Sequence, residues 1–392
     1  MYFYIFAYWH SAQFKKRVGG PIKVYELATN LTQRGHKVFL FIPKIGYPER
    51  QTSANVCAVP LIDLPLLRFI SFQIMACLMA LISLVQKGRP DVFYVRIMWS
   101  FLPMLLAKFF SIPVILEVND SPHRGYDNII HSVKRRFVHL TDRISYRLSD
   151  HVLPVTQKIA SDLHHIDDLS WKRMTVFQSG ANTDLFRPLR KSLCCQSLGL
   201  DCKKKYVGFI GTFFRHQGID ILIDSAPEII EACPDVLFLL VGDGPQRKTW
   251  ENRANQMDLQ DRFIFTGHIA YKDVPCYCGV MNVCVSPLLQ EARESSAVKI
   301  FDYLACGKPV VLSDISDTGK QFLASEAVLL VKPEDPAELA QAIITLLRNT
   351  KRRESMGQRG RGFVVSRYDR KKLAGDISQL CLDITNRRRS LE

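Results

Sequence analysis

The sequence predicts a two-part α/β protein in which each part folds around its own doubly wound parallel sheet. Three observations carry this. The chain has 392 residues, room for two domains at roughly 100–200 residues each. Apolar runs of strand length alternate with stretches of helical periodicity along its whole length, the signature of parallel strands joined by right-handed helical crossovers. A polar, basic stretch, 187–205, holds Pro188, the pair Cys194-Cys195 and a lysine triplet between two such series; it reads as a linker. The expected domains are therefore 1–186 and 206–369, with the C-terminal helix, 370–392, returning to the first.

In the first series, Tyr2–Tyr8 is continuously apolar, as a strand buried on both faces should be. Gly19-Gly20-Pro21 opens a helix in which Val24, Leu27, Ala28 and Leu31 recur at helical spacing, and Gly35 ends it. Strands are expected at 37–43, 91–95, 113–118 and 151–155, with helices at 69–85, 102–110 and 133–148. The second series repeats the pattern. Strands are expected at 205–211, 236–242, 262–266, 283–287, 309–313 and 327–331, and helices at 218–233, 246–257, 297–305, 336–350 and 370–386. Ligands of open parallel sheets sit beyond the carboxyl ends of the strands. Two such sheets face to face would form a cleft able to hold a nucleotide and a second substrate.

Composition narrows the chemistry. Hydrophobic residues make up 47% of the chain, enough to exclude global disorder. A formal net charge of +14 suits a polyanionic partner such as a nucleotide diphosphate or an anionic lipid surface. Nucleic acid is not expected, because no basic run interleaves with aromatics as in a nucleic-acid module. The eleven cysteines include no C-x-x-C pair, so zinc-ribbon chemistry is excluded and a reducing compartment is expected. Localisation is expected to be cytoplasmic. The charge-free run 69–85, near basic clusters at 15–17 and 134–136, gives the option of a peripheral membrane contact. The alternative is a core helix with solvated basic faces.

The stretch 286–314 carries the most chemistry. It reads strand, loop, helix, glycine turn, strand. Ser295 and Ser296 are good helix N-caps, and with Ala297 they form an amino end whose free N–H groups suit a phosphate. Lys299 lies in the first turn, where a cation is disfavoured unless an anion binds nearby. One turn on, Asp302 can accept from ribose hydroxyls, and Glu294 on the loop can take sugar hydroxyls. Gly19-Gly20 allow close backbone approach to a ligand. Gly242-Asp243-Gly244 forms a strand-end turn.

In this arrangement the sequence resembles the family-four retaining glycosyltransferases. Glu294 and Asp302 stand where that family has its E-x7-E element, and Asp302-Tyr-Leu-Ala-Cys-Gly-Lys-Pro-Val-Val311 is similar to its EAMACGKPVV segment. Gly19-Gly20, Gly35-His36, the 178–188 stretch and Val241-Gly-Asp-Gly-Pro245 match further family segments. The resemblance implies a GT-B fold and hexosyl transfer from a UDP- or GDP-sugar to a lipid-linked or polysaccharide acceptor. It implies donor contacts from Gly19, Gly20, Gly211, Thr212, Gly242, Asp243, Gly244, Ser295, Ser296, Ala297 and Asp302. Asn119 and Asp120 stand at the family's His-Asp pair and are expected on the acceptor side.

Two departures matter. Glu291 competes with Glu294 as the first acid, by its distance from Pro287. Gly211–Gly218 reads GTFFRHQG where the family has GRLxxEKG, so Thr212 and Gln217 occupy the places of two cations that stabilise the leaving diphosphate. Arg215 and Lys299 are expected to supply that charge instead. No D-x-D element follows a strand, so neither a metal nor a cofactor is expected. The competing readings are a sugar-nucleotide epimerase on the same architecture and a non-catalytic protein that binds nucleotides or partner proteins.

Overall fold

The computed structural model describes residues 1–8, 19–44, 52–64, 67–96, 101–119, 129–292, 298–315, 319–320 and 322–390, with only the backbone of 19–21, 129–138 and 389. The chain divides into two compact units, one of residues 1–179 and 370–392, the other of 180–369.

Unit 1 contains β1 (Tyr2–Phe6), α1 (Gly19–Gln33), β2 (Lys37–Pro43), β3 (Asn55–Val59), α2 (Leu67–Lys87), β4 (Val92–Arg96), α3 (Leu102–Phe109), β5 (Val114–Val118), α4 (Ile129–Leu148), β6 (His151–Pro154) and α5 (Gln157–Asp167). Its six strands lie in the order β3-β2-β1-β4-β5-β6, and every pairing is parallel. Alternate residues of each strand enter two separate cores. Tyr4, Phe6, Phe41 and Phe93 pack with Phe72, Ala76 and Ala80 of α2, whereas Phe3, Ile5, Leu40 and Tyr94 pack with Val24, Ala28 and Leu31 of α1. Burial on both faces is why these strands read as unbroken apolar runs. The chain's last helix (Arg370–Arg389) joins the α1 face through Leu373, Ala374, Ile377 and Cys381.

Unit 2 contains α6 (Lys191–Leu198), β7 (Lys205–Ile210), α7 (Ile219–Ala232), β8 (Val236–Val241), α8 (Arg247–Gln256), β9 (Phe263–Phe265), α9 (Val274–Val280), β10 (Val283–Ser286), α10 (Val298–Ala305), β11 (Val310–Ser313), β12 (Val328–Val331), α11 (Pro336–Arg348) and α12 (Thr350–Arg367); the last helix, α13, belongs to unit 1. Its strand order, β12-β11-β10-β7-β8-β9, repeats that of unit 1. In both sheets the winding reverses beside the first strand, between β1 and β4 and between β7 and β10. Such reversals leave a crevice at the carboxyl ends where ligands bind.

The expected linker, 187–205, is not one. It contains α6, and Cys194 and Cys195 are buried in the core of unit 2. Its lysines and the single Pro188 gave it linker composition, but two buried cysteines, with Leu198 partly buried beside them, are enough to dock a two-turn helix. The boundary accordingly falls at 179/180, not at 186.

Candidate active site

Unit 2 brings the loops after β7 and β10 together at its reversal point. Gly218, which ends the first loop, adopts a left-handed φ of +63°, and a methyl group on it would lie 1.8 Å from the carbonyl oxygen of Pro287 in the second. Leu289 N donates to His216 O at 3.2 Å, so backbone also ties the two loops. The turn after β8 closes on the same place. Gly242, at φ +139°, leaves no room for a side chain, because a methyl there would lie 1.9 Å from Gly211 O. Phe213 N donates to Asp243 O, and Gln246 N to Phe213 O, both at 3.0 Å. The turns after β7 and β8 need glycine, at Gly218 and Gly242, for contact as well as for φ.

Helix α10 supplies the charge. Tyr303, fully buried, accepts a hydrogen bond from Ile210 N at 2.6 Å and so fastens the helix to the carboxyl end of β7. One turn earlier, Lys299 reaches back over the ring of Phe209, with Nζ 4.1 Å from its centroid. A methyl on Gly211 would sit 3.2 Å from that nitrogen. Lys299 Nζ donates to Gln217 Oε1, whose amide nitrogen meets His216 Nε2 at 2.8 Å. No described carboxylate forms an ion pair with Lys299. Burial alone pulls its ammonium down from the ordinary lysine value to about 7. A cation held in an apolar corner without a counter-ion is costly, and its neighbours are strand-end glycines, the setting in which backbone amides receive phosphates.

The other expected residues fall as follows. Gly211 and Thr212 follow β7 directly. Arg215 lies in a short 3-10 turn, is largely exposed, and its Nε stands 3.6 Å from Glu291 Oε1. Asp302 lies on α10 three residues beyond Lys299, a spacing that puts both on one helical face. Asp243 Oδ1 accepts from Gly244 N at 2.8 Å and Oδ2 stands 3.9 Å from Arg247, so its carboxylate is engaged within its own turn. Gly19 and Gly20 are the first residues of α1, beyond β1 in unit 1. Asn119 follows β5, and its Nδ2 is buried with no hydrogen-bond partner among the described residues. Glu294, Ser295, Ser296, Ala297 and Asp120 lie outside the described residues, as do the side chains of both basic clusters, 15–17 and 134–136. Among the described residues no group of three or more His, Cys, Asp or Glu side chains is placed to hold a metal.

Two family models match the chain. "Glycosyltransferase Family 4" covers residues 19–185, nearly all in unit 1, and "Glycosyl transferases group 1" covers 204–349, in unit 2. The chain is a family-four glycosyltransferase. The transferase is 24% identical over 293 residues to a 2-deoxystreptamine N-acetyl-D-glucosaminyltransferase of Niallia circulans, spanning 72% of this chain and 74% of that one. Its fold matches sucrose-phosphate synthase from Thermosynechococcus elongatus with a TM-score of 0.78, at 20% identity and 98% coverage of both chains. It also matches Anabaena HepE, solved in complex with UDP-glucose, with a TM-score of 0.74 at 17% identity, covering 97% of this chain and 99% of that one. The transferase thus has the GT-B fold of these glycosyltransferases.

Sequence reasoning passed over one group. In unit 1, Lys23, Tyr94, Arg96 and Glu117 meet around a buried carboxylate. The signal was a glutamate inside the apolar run Val114–Val118, where an unpaired acid would be prohibitive.

Proposed function

We propose that this transferase moves a sugar, with retention of anomeric configuration and without a metal, from a UDP- or GDP-sugar to a lipid-linked or polysaccharide acceptor. The observation that carries the donor half is Lys299, a part-buried ammonium beside Gly211 at the reversal point of the unit 2 sheet. Transfer begins as the bond from the anomeric carbon to the diphosphate breaks, and negative charge grows on the leaving oxygen. Lys299 and the N–H groups at 295–297 meet that charge, with Arg215 as the second cation. Removing one such donor typically costs about 10²–10³ in rate. Gly211, Thr212 and Gly242–Gly244 line the diphosphate, Asp302 accepts from the ribose, and Glu294 or Glu291 holds the donor sugar. We assign Gly19 and Gly20 to donor binding and Asn119 and Asp120 to the acceptor.

The acceptor half is supported by α2. Its inner face buries Phe72, Gln73, Ala76, Ala80 and Ser83. Its outer face exposes Leu67, Ile70, Ile74, Leu78, Ile82 and Val85 at steps of three and four, and Phe109 on neighbouring α3 is 83% exposed. The helix is long and apolar enough to cross a membrane, but one face is committed to the sheet. We propose that its free face lies on an anionic bilayer. Lys87 and Arg89, together with the net charge of +14, supply the complementary charge. We place the enzyme in the cytoplasm, peripheral on the membrane face where lipid-linked acceptors are presented.

A panel of UDP- and GDP-sugars, assayed for nucleotide release and for product by mass spectrometry, tests the reading. Release of nucleotide with an α-configured product from an α-donor supports it. A new free sugar nucleotide would favour an epimerase, and binding without release would leave a non-catalytic role.

A further inference from the structure

Unit 2 contains a second cavity, of about 650 Å³, between the 3-10 turn at 215–217, the start of α7 and one side of α8. Arg215, Asp220, Gln246, Lys248 and Asn252 line it, with Trp250 as its most buried wall. Gly211, Gly242 and Lys299 take no part in it, and only Arg215 is shared with the donor site proposed above. Its size falls within the roughly 300–1,000 Å³ of small-molecule sites. The walls are held in place from both sides. Trp250 is 2% exposed and packs on Phe213 with ring centroids 5.1 Å apart, and Gln246 N donates to Phe213 O, so α8 is joined to the loop after β7. Arg253, also on the lining, grips the two oxygens of Asp224 at 2.7 Å each and ties α8 to α7.

The lining is polar and mixed in sign. Asp220 stands in the first turn of α7, and its Oδ1 is buried without a hydrogen-bond partner among the described residues. Burial raises its pKa. A carboxylate turns easily about its last torsion, so a donor inside the cavity can satisfy that oxygen. Lys248 and Arg253 only donate, whereas the amides of Gln246 and Asn252 both donate and accept. A phosphate or carboxylate ligand would confront the Asp220 carboxylate, and an apolar one would leave all of these groups unmet. A sugar ring meets both demands. One hydroxyl donates to the carboxylate while others accept from the ammonium and the amides.

We infer that this cavity is a second glycan site, which holds an uncharged sugar residue of the acceptor or product chain beside the donor loops of unit 2. The inference rests on the reading of the acceptor as a polysaccharide. Asp220 accepts from the sugar hydroxyls, and Lys248 and Asn252 donate to them. A chain held at a second point is retained between transfers, because rebinding of its reacting end becomes an intramolecular event.

The probe is an array of neutral and acidic oligosaccharides, presented to the full-length protein after saturation with UDP or GDP, with each binder then titrated calorimetrically. The nucleotide titration separately reports whether the donor reading holds. We expect neutral binders whose affinity falls about tenfold in Asp220→Asn, where a charge-assisted hydrogen bond is lost, and several-fold in Lys248→Ala, with nucleotide affinity unchanged in both. Each variant is checked for folding by circular dichroism. Lys248 is exposed, so Lys248→Ala keeps the test alive if Asp220→Asn fails to fold. The absence of any neutral binder, or neutral binding unchanged in the folded variants, overturns the inference. Acidic glycans bound more tightly by Asp220→Asn than by the wild type would also overturn it, since they would mark an anion site.

Discussion

Replacing Lys299 with methionine should make the enzyme more stable and nearly inactive. The linear methionine keeps the packing against Phe209 and removes the charge together with its hydrogen bond to Gln217. The folded-state pKa lies at about 7 against an ordinary 10.5, so folding disfavours the charged form. Below pH 7 lysine is protonated in both the folded and unfolded states and the full penalty applies. Between 7 and 10.5 the unfolded chain holds more protons, so the wild type gains stability as pH rises, and above that range the penalty vanishes. At roughly 1.4 kcal/mol per pKa unit, and discounting for a side chain only part-buried, the penalty is on the order of 2–3 kcal/mol. That corresponds to a melting temperature about 4–12 °C higher for Lys299→Met at pH 6, a gap that should close by pH 10.5. Donor turnover should fall about 10²–10³-fold. Thermal denaturation across pH 6–10, beside nucleotide-release rates, checks both. A variant that melts below wild type at pH 6, or turns over at the wild-type rate, would refute the reasoning. Stability given up for a poised charge is a common trade at functional sites.

Further outcomes follow from the same geometry. Nucleotide affinity of the wild type should weaken about tenfold per pH unit above pH 7, because binding must then take up a proton on Lys299, and a calorimetric pH series in two buffers of different ionisation enthalpy would show it. Gln217→Glu should give Lys299 a permanent counter-ion, raise its pKa and weaken diphosphate binding at least tenfold, read in the same titration. Arg215→Ala should cost about 10²-fold in turnover, the low end for a donor to the leaving charge, because its guanidinium is largely exposed. Gly242→Ala should destabilise unit 2 by about 2 kcal/mol or more, because its methyl would meet Gly211 O at 1.9 Å, measured by urea denaturation. Ile74→Asp with Leu78→Asp on α2 should abolish flotation with phosphatidylglycerol vesicles and leave donor hydrolysis in solution unchanged.

Much of this architecture was legible because buried parallel strands announce themselves as apolar runs. Lys37–Pro43 was read to the residue, and β7, β8, β10 and β11 to within one residue at each end. The elements passed over each lacked that signal. β3 is an edge strand with an exposed face, and α12 is polar all round, burying only Met356, Gly357, Gly360 and Val364. The turn at Gly211, the turn at Gly242 and the cation at Lys299 could be picked out singly. That Gln217 would hold the lysine could not, since it depends on a contact between side chains 82 positions apart. Glu117 was hidden for a related reason: its partners come from α1 and β4, and only the fold gathers them.

The most direct test of the account is a crystal structure of the enzyme with UDP or GDP bound. The account predicts the diphosphate beyond the carboxyl ends of β7 and β10, with Lys299 Nζ turned from Gln217 onto a phosphate oxygen. A nucleotide bound elsewhere, with Lys299 still bonded to Gln217, would contradict it.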